Sequence, residues 1–195
     1  AAILDLGCGT GASLRRLLAA GGFVKLELTA IDRDAGVLAV ARDAAVRTLR
    51  EHGFSVAIRD DMVQAGQQGR QVTVRHVAAD LQDFEPGWQN GYDAVIAHAL
   101  MDLLPAPVMA RRILDWLAPG GLFYATLNYD AGTTLFPVYR DAGLEAAVLS
   151  CYDASMERRA GGLTCGGAQT GRRLHAALVS AGYAVLAYGS SDWNI

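Results

Sequence analysis

The chain begins with a short apolar run followed directly by three alternating glycines, and no other stretch constrains the fold as strongly. Residues 2–6 (Ala-Ile-Leu-Asp-Leu) are predicted to form a buried strand of a parallel sheet. Gly7, Gly9 and Gly11 come next, and leucines on one face predict a helix over 12–20. Glycines in such a turn permit positive φ and close approach of a ligand, and the helix N-terminus offers unpaired N–H groups. The stretch therefore predicts a site for a nucleotide-type cofactor.

Length and composition indicate one globular domain with a substantial core. The 195 residues are 52% hydrophobic and 19% charged. The net charge is −3 and no basic block occurs, so nucleic acid is not expected as a partner. No apolar run approaches the roughly 18 residues of a membrane helix, so no membrane partner is expected either.

The three cysteines lie far apart without a C-x-x-C pair, which favours a reducing, cytoplasmic location over a disulfide framework or a zinc site. The chain opens inside a strand without an initiator Met and stops where a seventh strand would complete the sheet. We therefore expect residues to be missing at both ends, and a targeting segment upstream stays open.

The remaining pattern alternates strands and helices at tight spacing, which is typical of a parallel sheet covered by helices. Further strands are predicted at 25–31, 92–97, 122–127 and 184–188, and further helices at 34–53, 105–117, 138–150 and 172–181. Two more β-rich runs, Ser55 to Arg59 and Val72 to Val77, are joined by a polar Gly/Gln segment. We interpret them as a hairpin-like insertion that leads into the third parallel strand.

The glycine stretch satisfies two cofactor patterns, and the charges around it discriminate between them. As G-x-G-x-x-A, with Asp32 about twenty residues on, it matches the dinucleotide fingerprint. As D-x-G-x-G-x-G, counting Asp5, it matches the S-adenosylmethionine loop of class I methyltransferases. A carboxylate at Asp5 would repel a pyrophosphate but attract an ammonium and a sulfonium. The structural alternative is that Asp5 only caps the turn.

The chain resembles class I S-adenosylmethionine-dependent methyltransferases over about residues 2–127. The motifs that carry the resemblance stand in family order: 3–11 (Ile-Leu-Asp-Leu-Gly-Cys-Gly-Thr-Gly), 30–32 (Ala-Ile-Asp), 78–81 (Ala-Ala-Asp-Leu), 92–98 (Tyr-Asp-Ala-Val-Ile-Ala-His) and 117–122 (Leu-Ala-Pro-Gly-Gly-Leu). The resemblance implies a three-layer α-β-α sandwich with a Rossmann-like, doubly wound, mostly parallel sheet of six to seven strands in one domain over 1–195. It also implies methyl transfer by direct displacement, with S-adenosylhomocysteine as the product and no metal.

The resemblance also implies roles for the residues at the strand ends. Asp5 and the backbone of Gly7, Gly9 and Gly11 would contact the methionine end of the cofactor. Asp32 would accept both ribose hydroxyls, since two carboxylate oxygens match two vicinal donors.

Four further positions complete the predicted cofactor site. Cys8 belongs to the loop but is expected mainly to pack, and Arg33 either stacks on the adenine edge or is solvated. Asp80 would accept from the adenine amino group beside the Leu81 backbone, with an acidic turn residue as the alternative.

His98 ends the fourth parallel strand, where the family places residues that face both cofactor and substrate. It is our candidate catalytic residue, because a histidine titrates near neutral pH and can take a proton. A purely structural histidine is the alternative.

Substrate choice is expected to lie in residues 128–170, a long connection that we interpret as a lid. Tyr129 and Tyr152 are candidates for an apolar pocket, and Arg158 for gripping a carboxylate or phosphate. The aromatics as local core and the arginine as a solvated side chain are the alternatives. We expect a small-molecule acceptor, whereas the sequence assigns neither the acceptor atom nor an oligomeric state.

Two other functions stay open at this point. One is an NAD(P)-dependent oxidoreductase on a Rossmann fold, against which Asp5, Asp80 and the lack of a Tyr-x-x-x-Lys pair argue. The other is a non-catalytic S-adenosylmethionine-binding protein, which would need the same cofactor residues.

Overall fold

A computed structural model describes residues 1–87, 91–157 and 165–190 of the chain. The elements in chain order are β1 (Ala2–Leu6), α1 (Ala12–Ala20), β2 (Lys25–Asp32), α2 (Ala35–Glu51), β3 (Ser55–Arg59), β4 (Met62–Gln67), β5 (Arg70–Ala78), β6 (Tyr92–His98), a short 3-10 turn (Met101–Leu103), α3 (Ala106–Trp116), β7 (Leu117–Thr126), α4 (Ala142–Met156) and α5 (Thr170–Ala181). Among the described residues, no helix is long and apolar enough to cross a membrane.

The strands form one seven-stranded sheet in the order β3-β4-β5-β2-β1-β6-β7. The four central strands, β5, β2, β1 and β6, run parallel, and β3, β4 and β5 are joined by antiparallel pairing. The chain order reverses at β1, and in open α/β sheets ligands bind outside the carboxyl ends of the strands at such a switch point. The predicted α/β fold, a Rossmann-like sheet with flanking helices, is confirmed.

The chain divides into two compact units. The first comprises Ala1–His98 with Asp115–Ala125, and the second comprises Ala99–Leu114 with Thr126–Ile195. The assignment of the whole chain to one domain stays a prediction.

The core of the first unit lies between the sheet and the two helices that follow β1 and β2. Helix α2 buries Leu38, Ala41, Ala45 and Leu49, whose spacing of three and four residues puts them on one face. Asp34 begins this helix as predicted, because its carboxylate accepts from the N–H groups of the first turn.

Two strand predictions were wrong. The polar segment between the β-rich runs is itself a strand, β4, so β3 pairs with β4 rather than with β5. Its Val63 and Ala65 are buried while the residues between them are not, which is the alternation of a strand with one covered face. Residues 184–188 form no strand, and Leu186 is exposed there. Alternating hydrophobicity makes a strand only where a neighbouring edge supplies hydrogen-bond partners.

Two element boundaries also differ from the prediction. Strand β7 begins at Leu117 and therefore contains the Pro-Gly-Gly sequence that was expected to precede it. Helix α4 spans Ala142–Met156 instead of 138–150, because Asp141 caps its N-terminus by accepting from the Leu144 N–H.

Candidate cofactor and active site

The carboxyl ends of the parallel strands bring the predicted cofactor residues to one edge of the sheet. Leu6, the last residue of β1, lies opposite Ile31 of β2 and Ala97 of β6, and Asp32 lies opposite Ala78 of β5. The glycine loop, Asp32, the 80–81 turn and His98 all follow directly from these positions. The sheet register, which joins residues distant in sequence, therefore assembles the candidate site within the first unit.

The glycine loop is held in place by main-chain hydrogen bonds. The Cys8 N–H donates to the Ile31 carbonyl at 2.8 Å, and the Gly11 N–H donates to the Cys8 carbonyl at 3.0 Å. Gly9 has φ 53°, and a Cβ added there would meet nothing within 4 Å. Gly11 has φ 83°, and a Cβ there would lie 3.3 Å from Ala41 Cβ of α2. Gly9 thus borders open space, whereas Gly11 is the point where loop and α2 approach each other.

Asp32 is half-buried and already bound to the backbone on both sides. Its Oδ2 accepts from the Gly9 N–H at 3.1 Å and its Oδ1 from the Asp34 N–H at 3.1 Å. A carboxylate offers about four lone-pair positions, so each oxygen retains room for one more donor. Arg33 beside it is exposed and has no hydrogen bond or ion pair within the described part of the chain.

Asp5 is almost completely buried, with 2% of its surface exposed. The buried Ser13 side chain of α1 favours the ionised form of this carboxylate. Among the described residues, the Oδ2 atom of Asp5 has no hydrogen-bond partner although it is buried. Burial raises the pKa of Asp5 from 3.8 to about 6, and the Ser13 side chain opposes that rise.

Cys8 packs under the loop with Ala30 and Leu38. Burial, followed by the negative charges of Asp5 and Asp32, raises the pKa of its thiol to about 12. A thiol that stays protonated at neutral pH is a poor nucleophile.

The turn after β5 places Asp80 and Leu81 at the same edge. Asp80 is exposed, and its Oδ1 accepts from the Gln82 N–H at 2.9 Å. Leu81 is buried, with 7% of its surface exposed. One oxygen of Asp80 thus stabilises the turn, and its Oδ2 is able to accept another donor.

His98 ends β6, and its ring contacts the ring of Tyr124 on β7. The centroids lie 5.5 Å apart and the planes meet at 80°. Burial, and next the positive charge of Arg16, lower the pKa of His98 below 6.5. The imidazole is therefore neutral at neutral pH and is able to accept a proton.

Two of the residues predicted to contact the acceptor, Tyr129 and Tyr152, belong to the second unit. The rings of Tyr129 and Tyr152 lie 5.3 Å apart at 80°. The Tyr129 hydroxyl donates to Asp153 Oδ1 at 2.6 Å, and this hydrogen bond raises the pKa of the Tyr129 phenol. Arg158 lies outside the described residues.

The same segment is attached to α5 by an ion pair. Arg172 Nε donates to Asp130 Oδ2 at 3.1 Å, and its guanidinium also donates to the Asp130 carbonyl at 2.7 Å. Within residues 1–87, 91–157 and 165–190, no three His, Cys, Asp or Glu side chains are grouped to hold a metal ion.

The sequence interpretation missed two side chains that contact this site. Ser13 lies on the buried face of α1 with Leu14 and Leu18, and it favours the ionised form of Asp5. Tyr124 contacts His98 only because β6 and β7 are neighbours in the sheet, and the sequence carries no signal for that pairing.

Comparison with known proteins agrees with this geometry. A family model described as a methyltransferase domain matches residues 4–123, more than half of the chain. A search among curated proteins returned no significant match.

Three solved structures share the fold over 93% of the chain. They are a proposed methyltransferase from Bacillus halodurans (TM-score 0.57, 15% identity), an S-adenosylmethionine-dependent methyltransferase from Mesorhizobium loti (0.54, 21%) and the S-adenosylmethionine-dependent methyltransferase SibL (0.54, 21%). The chain covers 62%, 73% and 44% of their respective lengths, less than two thirds of two of them.

The family match spans the strands that build the site, from within β1 to within β7. It includes the glycine loop and the turns after β2, β5 and β6. The chain therefore belongs to the methyltransferase-domain family, the class I S-adenosylmethionine-dependent methyltransferases.

Proposed function

We propose that this chain transfers the methyl group of S-adenosylmethionine to a small-molecule acceptor by direct displacement. The observation that carries the proposal is the convergence of the glycine loop, Asp32 and the 80–81 turn at the switch point of the sheet. S-adenosylmethionine is the cofactor of the family, and the acceptor is what the proposal adds.

The residues at this edge fit a cationic cofactor without phosphate. Gly9 borders open space, so a ligand is able to approach the loop backbone. Asp5 contributes a buried carboxylate oxygen that lacks a partner among the described residues. We assign the ribose hydroxyls to Asp32, the methionine end to the loop and the adenine to Asp80 and Leu81. When bound, the cofactor supplies a methyl group already activated by its sulfonium.

His98 is the residue we propose to take a proton from the acceptor. Its lowered pKa keeps the imidazole neutral at physiological pH, which is the state that a proton acceptor needs. The step requires a base only if the acceptor atom loses its proton during transfer. Otherwise the protein contributes chiefly alignment and the exclusion of water.

Residues 128–170 are proposed to select the acceptor. Tyr129 and Tyr152 support this assignment because they lie together, and Tyr152 is exposed. Arg158 keeps its proposed role as an anion contact. We also propose a cytoplasmic location, consistent with three free cysteines.

Calorimetry with S-adenosylhomocysteine and NAD tests the cofactor assignment. We expect S-adenosylhomocysteine to bind and NAD not to bind. Binding of NAD alone would contradict the proposal in favour of the oxidoreductase alternative.

Turnover then tests catalysis. The protein is incubated with methyl-labelled S-adenosylmethionine and a metabolite extract, and a labelled small molecule is the expected product. A matched Asp32→Ala incubation identifies label that arises without the cofactor site. Cofactor binding without any labelled product, across extracts of varied origin, would favour a non-catalytic binding protein.

A further inference from the structure

Helix α4 exposes a face that is apolar except for one carboxylate. Glu145, Val148, Leu149 and Tyr152 are spaced by three and four residues, so they lie on the same side of the helix. Val148 is 57% exposed and Tyr152 is 51% exposed, and α4 has no buried residue within the described chain. A helix at the surface usually turns polar side chains to solvent, so an apolar face of this kind marks a binding surface.

A groove runs along this face, within the second unit. Residues of α4 and of the segment before it form its walls, namely Leu135, Tyr139, Leu144, Glu145, Val148 and Leu149. Its volume is about 170 Å³. An engineered apolar cavity of roughly 150 Å³ is able to bind benzene. The groove therefore has room for one aromatic ring or for a branched alkyl group of similar size.

Two tyrosine rings adjoin the groove, because Tyr152 lies one turn beyond Val148 and Leu149 on the same face of α4. The Tyr129 and Tyr152 rings are 5.3 Å apart, with an angle of 80° between their planes. The faces of aromatic rings attract cations. Asp153 lies beside these rings, since its Oδ1 accepts from the Tyr129 hydroxyl at 2.6 Å, and its Oδ2 is able to accept a further donor.

The charges on this surface favour a cation. Glu145 is the one charged side chain among the groove walls, and its carboxylate has no hydrogen bond or ion pair within the described part of the chain. The arginines of α5 face other carboxylates: Arg172 pairs with Asp130, and Arg173 lies 4.0 Å from Glu157. A ligand with a positive charge and an apolar group would complement both the carboxylates and the groove.

We propose that this surface binds an acceptor that carries an ammonium group next to an aromatic ring or a branched alkyl group. The apolar part would fill the groove, and the ammonium would lie against the tyrosine rings and Asp153. Glu145 would add negative charge from the other end of the groove. This inference rests on the proposed function, in which residues 128–170 select the acceptor. It concerns the group that is recognised, which need not be the group that is methylated.

The test compares two probes of nearly equal shape, 2-phenylethylamine and 2-phenylethanol, in NMR titrations of the whole protein. The methyl signals of the groove residues Leu144, Val148 and Leu149 report binding at this place. We expect the amine to bind with a Kd of about 1 mM, as is typical of so small a ligand, and the alcohol to bind about tenfold more weakly. Equal binding of the two probes, or no shift of these signals, would overturn the inference.

Variants separate the charge from the groove. Asp153→Asn, whose amide oxygen is still able to accept from Tyr129, should weaken amine binding about tenfold and leave the alcohol unchanged. Glu145→Gln should weaken amine binding about twofold, because its charge acts from a distance. Val148→Trp should fill the groove and weaken both probes. An unchanged amine affinity in Asp153→Asn would contradict the placement of the ammonium.

Matched controls lie elsewhere on the surface. Glu51→Gln removes an exposed carboxylate of α2, and it should behave like the wild type. Tyr152→Leu should reduce the preference for the amine over the alcohol. Tyr188→Leu, which removes another exposed tyrosine of an aromatic pair, should not. Methyl signals of the groove that shift with protein concentration, and no longer respond to the amine, would overturn the inference in favour of a second copy of the chain.

Turnover links the site to the reaction. Labelled products from the metabolite extract should be retained on a cation exchanger, and Asp153→Asn should reduce their yield more than it reduces the affinity for S-adenosylhomocysteine. Products that are all neutral or acidic would overturn the inference while leaving methyl transfer intact. If no extract yields a labelled product, the proposed function fails. The titrations, which need no cofactor, then decide separately whether this surface binds amines.

Discussion

Asp32 is oriented by the protein before any ligand binds. Its two oxygens accept from Gly9 and Asp34, so the carboxylate plane is fixed between the loop and α2. A rigid acceptor loses little conformational freedom on binding, which is one physical reason to assign it the ribose. Arg33, its neighbour in sequence, has no such constraint.

Replacing Asp32 should therefore weaken cofactor binding strongly. Because hydrogen bonds to a charged group contribute about 1.5–3 kcal/mol, Asp32→Ala should reduce the affinity for S-adenosylhomocysteine by about ten- to a hundredfold. Arg33→Ala should change it by about twofold or less. Calorimetry of both variants measures the difference, and equal small effects would show that the ribose is bound elsewhere.

His98 and Tyr124 allow a second prediction at the scale of single side chains. Because burial lowers the pKa of His98, Tyr124→Ala should raise that pKa towards its ordinary value of 6.5. Tyr124→Phe keeps the ring and should leave the pKa unchanged. Arg16→Gln should also raise it, since a nearby positive charge is removed. Imidazole NMR titration of the wild type and of each variant measures these shifts. Identical titrations of His98 in wild type and Tyr124→Ala would contradict the assignment.

In the glycine loop, Gly9 and Gly11 are each required for a different physical reason. Both have positive φ, so an alanine at either position should cost about 1 kcal/mol of backbone strain. Gly11→Ala should cost roughly 1–3 kcal/mol more, because its Cβ would crowd Ala41 of α2. Gly9→Ala places its methyl group in open space and should instead weaken cofactor binding. Urea unfolding and calorimetry of the two variants separate these effects. A larger stability loss for Gly9→Ala would contradict the packing argument.

An element could be predicted from the sequence where neighbouring residues determine it, and not where it depends on pairing with a distant strand. The cap of α2 by Asp34 and the carboxyl-end position of Asp32 follow from neighbouring residues and from parallel strand geometry. Strand β4 was missed because its Gly/Gln-containing sequence has low β-propensity, and pairing with β3 and β5 stabilises it. Residues 184–188 show the opposite case, a favourable pattern without a strand ladder.

The same distinction applies to the residues of the candidate site. Its carboxylates and glycines could be predicted from their spacing in the sequence, because each lies at or after the end of a strand of the parallel sheet. The influence of Ser13 on Asp5 and the contact of Tyr124 with His98 could not be predicted, since they depend on how α1 packs and on which strand lies next to β6. Sequence patterns therefore located the residues that meet a ligand, and tertiary packing determined which side chains hold them.

On the scale of the whole molecule, Asp5 links stability to function. A carboxylate buried without a cation favours its neutral form, so the folded state binds a proton more tightly than the unfolded state does. The free energy of unfolding contributed by Asp5 is then highest below its unfolded pKa of 3.8 and decreases as the pH rises towards its folded pKa of about 6. At neutral pH the buried, ionised Asp5 therefore lowers the free energy of unfolding. The same charge is able to attract a cationic cofactor.

Asp5→Asn should therefore stabilise the ligand-free protein at neutral pH while weakening cofactor binding. The pKa rise corresponds to about 2–3 kcal/mol, and an imperfectly satisfied Asn amide should reduce the gain to about 1–2 kcal/mol. His76 and His98, whose pKa values are lowered, act in the opposite direction on the pH dependence, but they are common to both proteins and cancel in the difference. Urea unfolding of the two proteins at a series of pH values measures that difference, which should grow from about pH 4 to pH 7. Two results would contradict this prediction: a stability difference that does not change with pH, or a variant that becomes less stable than the wild type as the pH rises. Either would mean that a positive charge compensates Asp5 in the folded protein. The electrostatic argument for the cofactor loop would then fail as well.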